Sequence, residues 1–151
     1  MKPKPQNTPP LWGALRHGDL VVVDSAPLIY LLDDHPEFAA QFEGLFAAYD
    51  AGTLRIAIST IALAEVLAGP FDKGHDALAK RYEKALAAFE VVPVSHEVAV
   101  SASRLRVAYK LKLMDALQAA TALEIGAQAL VTHDRDFSRL AASGGLRVLY
   151  G

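Results

Sequence analysis

The apolar residues of this chain fall into two alternating patterns. Short aliphatic runs, Leu20 to Val23, Leu54 to Ile58, Val91-Val92 with Val94, Ala129 to Thr132 and Leu146 to Tyr150, have the length and branching of buried strands. Between them, apolar residues recur at three- and four-residue spacing. Leu28, Ile29, Leu31 and Leu32 form one such set, Phe38, Phe42, Leu45 and Phe46 the next within Pro36 to Tyr49, and IALAEVLAG a third. Leu78, Tyr82, Leu86 and Phe89 follow within residues 71–90, then Ser95 to Tyr109, and a short helix spans Phe137 to Ala142 before a Gly144-Gly145 turn. Ser25 and Ser59 or Thr60 are candidate caps, and Pro27 is tolerated in a first turn. Pro93 interrupts the third strand and points to a sheet edge. Regular strand–helix alternation predicts an α/β domain whose largely parallel sheet has about five strands joined by right-handed crossovers.

One stretch, LMDALQAATALEIGAQALVTHDRDF from Leu113 to Phe137, departs from an amphipathic pattern. Met114, Ala116, Leu117, Ala119, Ala120, Ala122, Leu123 and Ile125 cover nearly every direction of a helix, so burial on most sides is expected, with Gly126 as its stop. Its polar exceptions are Asp115 at the helix start and Asp134 and Asp136 after the next strand. In parallel sheets, ligands bind at that carboxyl edge.

The chain's 151 residues suit one domain, and a hydrophobic fraction of 52% with only 8% aromatics predicts an aliphatic core of closely packed helices. Residues 1–19 are expected to be a flexible extension preceding a domain over 20–151. Pro3, Pro5, Pro9 and Pro10 lie at its start, and Trp12 and Leu15 are positioned to dock it locally. No apolar run resembles a signal core or a membrane span, so a cytoplasmic protein without membrane association is the expectation. The absence of cysteine excludes disulfides, thiolate metal sites and a cysteine nucleophile. A net charge of −2 gives no global sign of nucleic-acid binding, so any such case rests on local features.

Each acid has two readings. Asp24, directly after the first strand, is a helix cap or a site residue. Asp115 with Gln118 has capping-box spacing, Asp134 suits a turn, and Asp136 suits a cap for the following helix. Glu65 lies either at an exposed helix end or on a face whose neighbours Ile61, Ala62, Ala68 and Gly69 offer no partner, where a carboxylate requires compensation. With parallel strands, Asp24, Glu65, Asp115 and Asp134 converge on one edge. Clustered carboxylates repel and raise one another's pKa values unless a divalent cation neutralises them, and an all-oxygen set suits Mg²⁺ or Mn²⁺. Such an ion supports phosphodiester hydrolysis. The histidines show neither i, i+4 pairing nor HExxH, and phosphate-loop and GxSxG motifs are absent. Arg104, Arg106, Lys110 and Lys112, with no acid between Glu97 and Asp115, form either a solvated basic face or a phosphate-guiding rim. Lys80, Arg81 and Lys84 read as the wet side of their helix.

The motifs VVVDSAPLIYLL, STIALAEVLAG and LKLMDALQAATALEIGAQALVTHDRDF, with the closing strand, resemble the PIN domain, and within it the VapC-type toxins of bacterial toxin–antitoxin pairs. The resemblance covers Leu20 to Tyr150. It implies a three-layer α/β/α fold and Mg²⁺- or Mn²⁺-dependent endoribonuclease activity on structured RNA. It also implies a VapB-like antitoxin partner and a homodimer. By matching motif, Asp24, Glu65, Asp115 and Asp134 would be catalytic. Of these, Asp24, Asp115 and Asp134 would hold metal, while Ser25, Thr132 and Asp136 would be accessory. His133 stands where such toxins often carry Asn, and they usually begin almost at the first strand.

Two rivals differ in kind. A PIN-fold binding or regulatory module would act through its protein partner, using the helices from Ile29 to Phe46 and Ile61 to Phe71 as a groove. A phosphoacceptor domain also places Asp after a strand. It would need a second acid two residues after Asp24, or a Lys after a later strand, whereas Ala26 and Ser95-His96 stand there.

Overall fold

The computed structural model describes residues 11–142 and 145–150, so residues 1–10 of the expected extension and Gly144 of the expected turn lie outside the described residues. Five strands, β1 (Leu20–Val23), β2 (Arg55–Ser59), β3 (Glu90–Val92), β4 (Ala129–Thr132) and β5 (Val148–Tyr150), form one sheet of order β3-β2-β1-β4-β5. Every neighbouring pair is parallel. Pro93 follows directly on β3, which is the edge strand its position predicts.

Among the described residues, seven α-helices connect and cover the sheet: α1 (Ser25–Leu32), α2 (Ala39–Asp50), α3 (Thr60–Asp72), α4 (Asp76–Leu86), α5 (His96–Tyr109), α6 (Leu113–Glu124) and α7 (Ser138–Ala142). The pleat divides the strands between two cores. Val21, Val23, Ile56, Ile58 and Val131 pack with Leu28, Phe42, Leu45, Val66 and Leu86 of α1–α4. Their alternates Leu20, Val22, Ala57 and Leu130 pack with Val98, Ala102, Ala116, Ala120 and Leu140 of α5–α7. The result is a three-layer α/β/α domain.

Ser59 and Ser95 cap α3 and α5, each hydroxyl accepting the backbone N–H three residues on, from Ala62 and Val98 at 3.1 Å. Along α6, seven consecutive residues from Ala116 to Ala122 are buried, and four of them are alanines, which lets the helix lie close to both the sheet and α5. Gly126 then takes φ 67°, the left-handed conformation that ends such a helix at little cost for glycine.

The later part of the expected extension is folded. Leu11–Ala14 makes a 3₁₀ turn, Trp12 is buried against Phe42, and Gly18 N–H donates to the Thr53 carbonyl. Gly44 of α2 permits this docking, because a Cβ there would stand 2.7 Å from the Trp12 indole nitrogen. Among the described residues, no helix is long and apolar enough to cross a membrane.

Candidate functional site

The strand order reverses at β1, with β2 leaving on one side and β4 lying on the other, and the crevice at that switch point holds the acidic residues. Val23 pairs with Val131, so Asp24 and Thr132, the next residue of each strand, stand side by side. Thr132 Oγ1 donates to Asp24 Oδ2 at 2.8 Å, and Ser25 N–H donates to Asp24 Oδ1 at 2.8 Å, which makes Asp24 the cap of α1 as well. The cap reading of this residue therefore holds, and the carboxylate also lies at the crevice. Asp24 is buried, and burial raises its carboxyl pKa despite the Thr132 and Ser25 donors, with the charge of Asp134 adding to the rise.

Ser25 reaches across to α3, its hydroxyl donating to Glu65 Oε1 at 3.2 Å. The compensation that the sequence around Glu65 fails to offer thus comes from another helix. Partial burial of the Glu65 carboxyl, then the charge of Asp24, raise its pKa, and the Ser25 hydroxyl opposes them.

Asp115 lies in the first turn of α6 but does not form a capping box: Lys112 occupies the cap position, and Gln118 Oε1 instead accepts from Ser59 Oγ at 2.8 Å in the core. Asp115 Oδ2 is buried and has no hydrogen-bond partner among the described residues. Burial, then the charges of Asp134, Asp24 and Asp136, push its pKa up to about 6, against a smaller pull from Lys112. Asp134 follows β4, accepts from Asp136 N–H at 2.9 Å and donates its own N–H to Thr132 Oγ1 at 3.0 Å. Asp134, rather than Asp136, caps the 3₁₀ turn Arg135–Phe137 that leads into α7.

One carboxylate oxygen from each of Asp115, Asp134 and Asp136 lies within 4.8 Å of the others. Asp24 is not part of this trio, its oxygens being engaged by Thr132 and Ser25, although its charge is felt by Asp115 and Glu65. The donor chemistry fits a hard divalent cation: all oxygen, mutually repelling, with a buried acceptor atom unused.

A cleft of about 330 Å³ opens beside the trio, lined by Asp115 and Asp136 and by Lys110, Lys112, Arg135 and Arg139. The basic residues singled out from sequence thus divide. Lys110 and Lys112 reach this cleft, Arg106 lines an adjoining hollow that it shares with Lys110 and Leu111, and Arg104 lies apart with Glu97 and Glu124. Arg135 and Arg139, unrecognised in sequence, complete the rim; their i, i+4 spacing, starting within the acidic turn, is the available signal. Arg135 also stacks 4.3 Å above the Tyr150 ring. Lys112 Nζ lies 3.8 Å from Asp136 Oδ2, an exposed pair of small energetic weight.

A family model described as "PIN domain" matches residues 21–143. No curated protein sequence matches the chain. Among solved structures, a toxin–antitoxin complex from Klebsiella pneumoniae is similar with 30% identity and a TM-score of 0.63, over 78% of this chain and 90% of the other. A VapBC2 structure from Rickettsia felis bound to promoter DNA is similar with 23% identity and a TM-score of 0.70, over 87% and 98%. A sarcin–ricin loop cleaving toxin from Mycobacterium tuberculosis has 16% identity and a TM-score of 0.64, over 82% and 95%.

Proposed function

This chain belongs to the PIN-domain family, and from that premise we propose that it is a Mg²⁺- or Mn²⁺-dependent endoribonuclease, the toxin of a VapBC-type pair acting on structured RNA in the cytoplasm. The observation that carries the reading is the buried, unpartnered Asp115 Oδ2 within a trio of carboxylates 4.8 Å or less apart, a set that a divalent cation would neutralise. Asp115 and Asp134 would hold the ion, with Asp24 or Asp136 completing the set directly or through water. When bound, such an ion lowers the pKa of a coordinated water and stabilises negative charge on the departing oxygen.

The remaining work falls to the chain's own groups. Asp24 is oriented by Thr132 and Ser25 so that its charge stays at the crevice. Glu65, with a raised pKa, is suited to accept a proton at Oε2 from an attacking water while Oε1 takes the Ser25 hydroxyl. Lys110, Lys112, Arg135 and Arg139 bind phosphates of the RNA backbone and orient it beside the acids.

The proposed partner is a VapB-like antitoxin. Two clefts on the α1–α4 face support this, one of about 340 Å³ in which Ile29, Val66, Pro70 and Leu78 lie with Asp33, Glu65 and Lys73. The other, about 630 Å³, combines Leu31, Ala40 and Phe46 with Asp34, Glu43 and Asp50. Both suit an amphipathic segment carrying positive charge. A homodimer is proposed by analogy with such toxins.

The test is cleavage of a small-RNA pool by purified protein in Mg²⁺, Mn²⁺ and EDTA, with Asp115→Asn alongside. Metal-dependent cutting absent from the variant is expected. RNA left intact by partner-free, metal-loaded protein would replace this reading with that of a binding module.

A further inference from the structure

The proposed chemistry uses neither Tyr30 nor His133, yet the two meet at the turn on which it depends. Strand alternation continues past the end of β4: Val131 faces the α1–α4 core and Leu130 the α5–α7 core. Thr132 and Asp134 accordingly turn toward the acids, and His133, between them, turns the other way. There its Nδ1 shares a hydrogen bond with the Tyr30 hydroxyl at 2.8 Å. Its ring meets Tyr30 edge-on at 5.3 Å, Phe38 at 4.7 Å and Phe42 at 6.0 Å. Tyr30 belongs to α1, the helix that Asp24 caps.

This placement answers a mechanical need. Asp134 and Asp136 repel Asp115, and on the acid side the exposed Lys112–Asp136 pair, the Thr132 hydroxyl and the stacking of Arg135 on Tyr150 oppose separation. We propose that Tyr30 and His133 are positioning residues: their hydrogen bond and aromatic packing grip the turn 133–136 from behind and keep Asp134 and Asp136 against Asp115, preorganising the cation site. His133 is thereby set apart from metal ligation, since its ring is directed into the aromatic cluster. The inference rests on the metal-dependent reading above. Tying α1 to the turn also means that Asp24 and Asp134 are located by one frame.

The test measures Mn²⁺ affinity by calorimetry, with thermal midpoints of the metal-free proteins. The chains compared are wild type, Asp115→Asn, Tyr30→Phe, His133→Phe, the Tyr30→Phe/His133→Phe double variant, and His133→Asn, whose amide lies near the place of Nδ1. Tyr30→Phe and His133→Phe are expected to bind Mn²⁺ about tenfold more weakly, the lower end of what loss of groups behind metal ligands costs. The double variant is expected to be no weaker than either single, because both remove one hydrogen bond. His133→Asn is expected to recover most of the affinity, and the metal-free midpoints to shift by no more than about 2–4 °C. Wild-type affinity in both single variants, or losses that add in the double, would overturn the clamp. If His133→Phe fails to fold, Tyr30→Phe alone decides, since it removes a single oxygen. Absence of Mn²⁺ binding by wild type would overturn the metal reading and the clamp with it, whereas intact wild-type binding with unaffected variants overturns the clamp alone.

Discussion

The side chains of Thr132 and Asp24 are joined by a 2.8 Å hydrogen bond across 108 positions of sequence, and both residues are buried. The same hydroxyl accepts the Asp134 N–H, so one oxygen orders two acids of the site. Thr132→Val keeps the volume and removes both bonds. It is expected to cost about 2 kcal/mol, the penalty for leaving buried polar groups unpaired, and to weaken Mn²⁺ binding. Thr132→Ser should retain most of both. Urea denaturation beside metal titration checks this, and a Val variant as stable as wild type would remove the proposed role.

The acids also set a pH dependence. The Asp115 pKa is pushed from 3.8 to about 6, and those of Asp24 and Glu65 are raised too, so between those values the folded state binds more protons than the unfolded. Stability of the metal-free protein therefore falls as pH rises from about 4 through about 6. Binding a cation requires the charged forms, so Mg²⁺ should stabilise more at about pH 8 than at about pH 5. Melting in EDTA and in Mg²⁺ at both pH values tests the sign. A midpoint in EDTA that climbs with pH, unmoved by Mg²⁺, contradicts it.

Asp115→Asn removes the charge that Asp134, Asp24 and Asp136 oppose. The variant is expected to lose RNA cleavage while the metal-free protein gains about 1 kcal/mol at neutral pH, the exchange of activity for stability common at charged sites. Loss of cleavage together with loss of stability would point instead to a structural role.

At the rim, Arg139→Ala and Lys112→Ala are expected each to raise the KM for RNA several-fold and to reduce its salt dependence by about one phosphate contact. Arg104→Ala, which lies away from this cleft, should leave both unchanged. Equal effects at all three positions would mean that the basic face acts as a whole.

Ser59 and Gln118 are fully buried, and the Ser59 hydroxyl serves both the Gln118 amide oxygen and the cap of α3. Ser59→Ala is expected to cost about 2 kcal/mol by stranding the amide as well as the cap. Gln118→Leu in the same chain should recover most of the amide's share, because the unpaired group is then gone. Denaturation of the singles and the double measures this, and simple additivity would refute it.

Legible in the sequence alone are the succession of strands and helices, a hydroxyl cap for α3 at Ser59 or Thr60, the buried character of most of the helix after Lys112, and the acids at strand ends. These follow from interactions a few residues long: periodicity, side-chain caps and glycine stops. The motifs around Asp24, Glu65 and Asp115 likewise carry the family resemblance within short windows. Only the tertiary structure decided which acids meet. Asp24, Glu65, Asp115, Asp134 and Asp136 have similar local readings, yet the β1–β4 register joins Asp24 to Thr132, and the placement of α6 puts Asp115 with Asp134 and Asp136. The same long-range placement sends Gln118 to Ser59 rather than to a cap, parts Lys110 and Lys112 from Arg104, and gives His133 to Tyr30. The physical reason is that local propensity specifies an element and its faces, whereas the volume a side chain shares depends on strand order and register, which close only when distant segments pack.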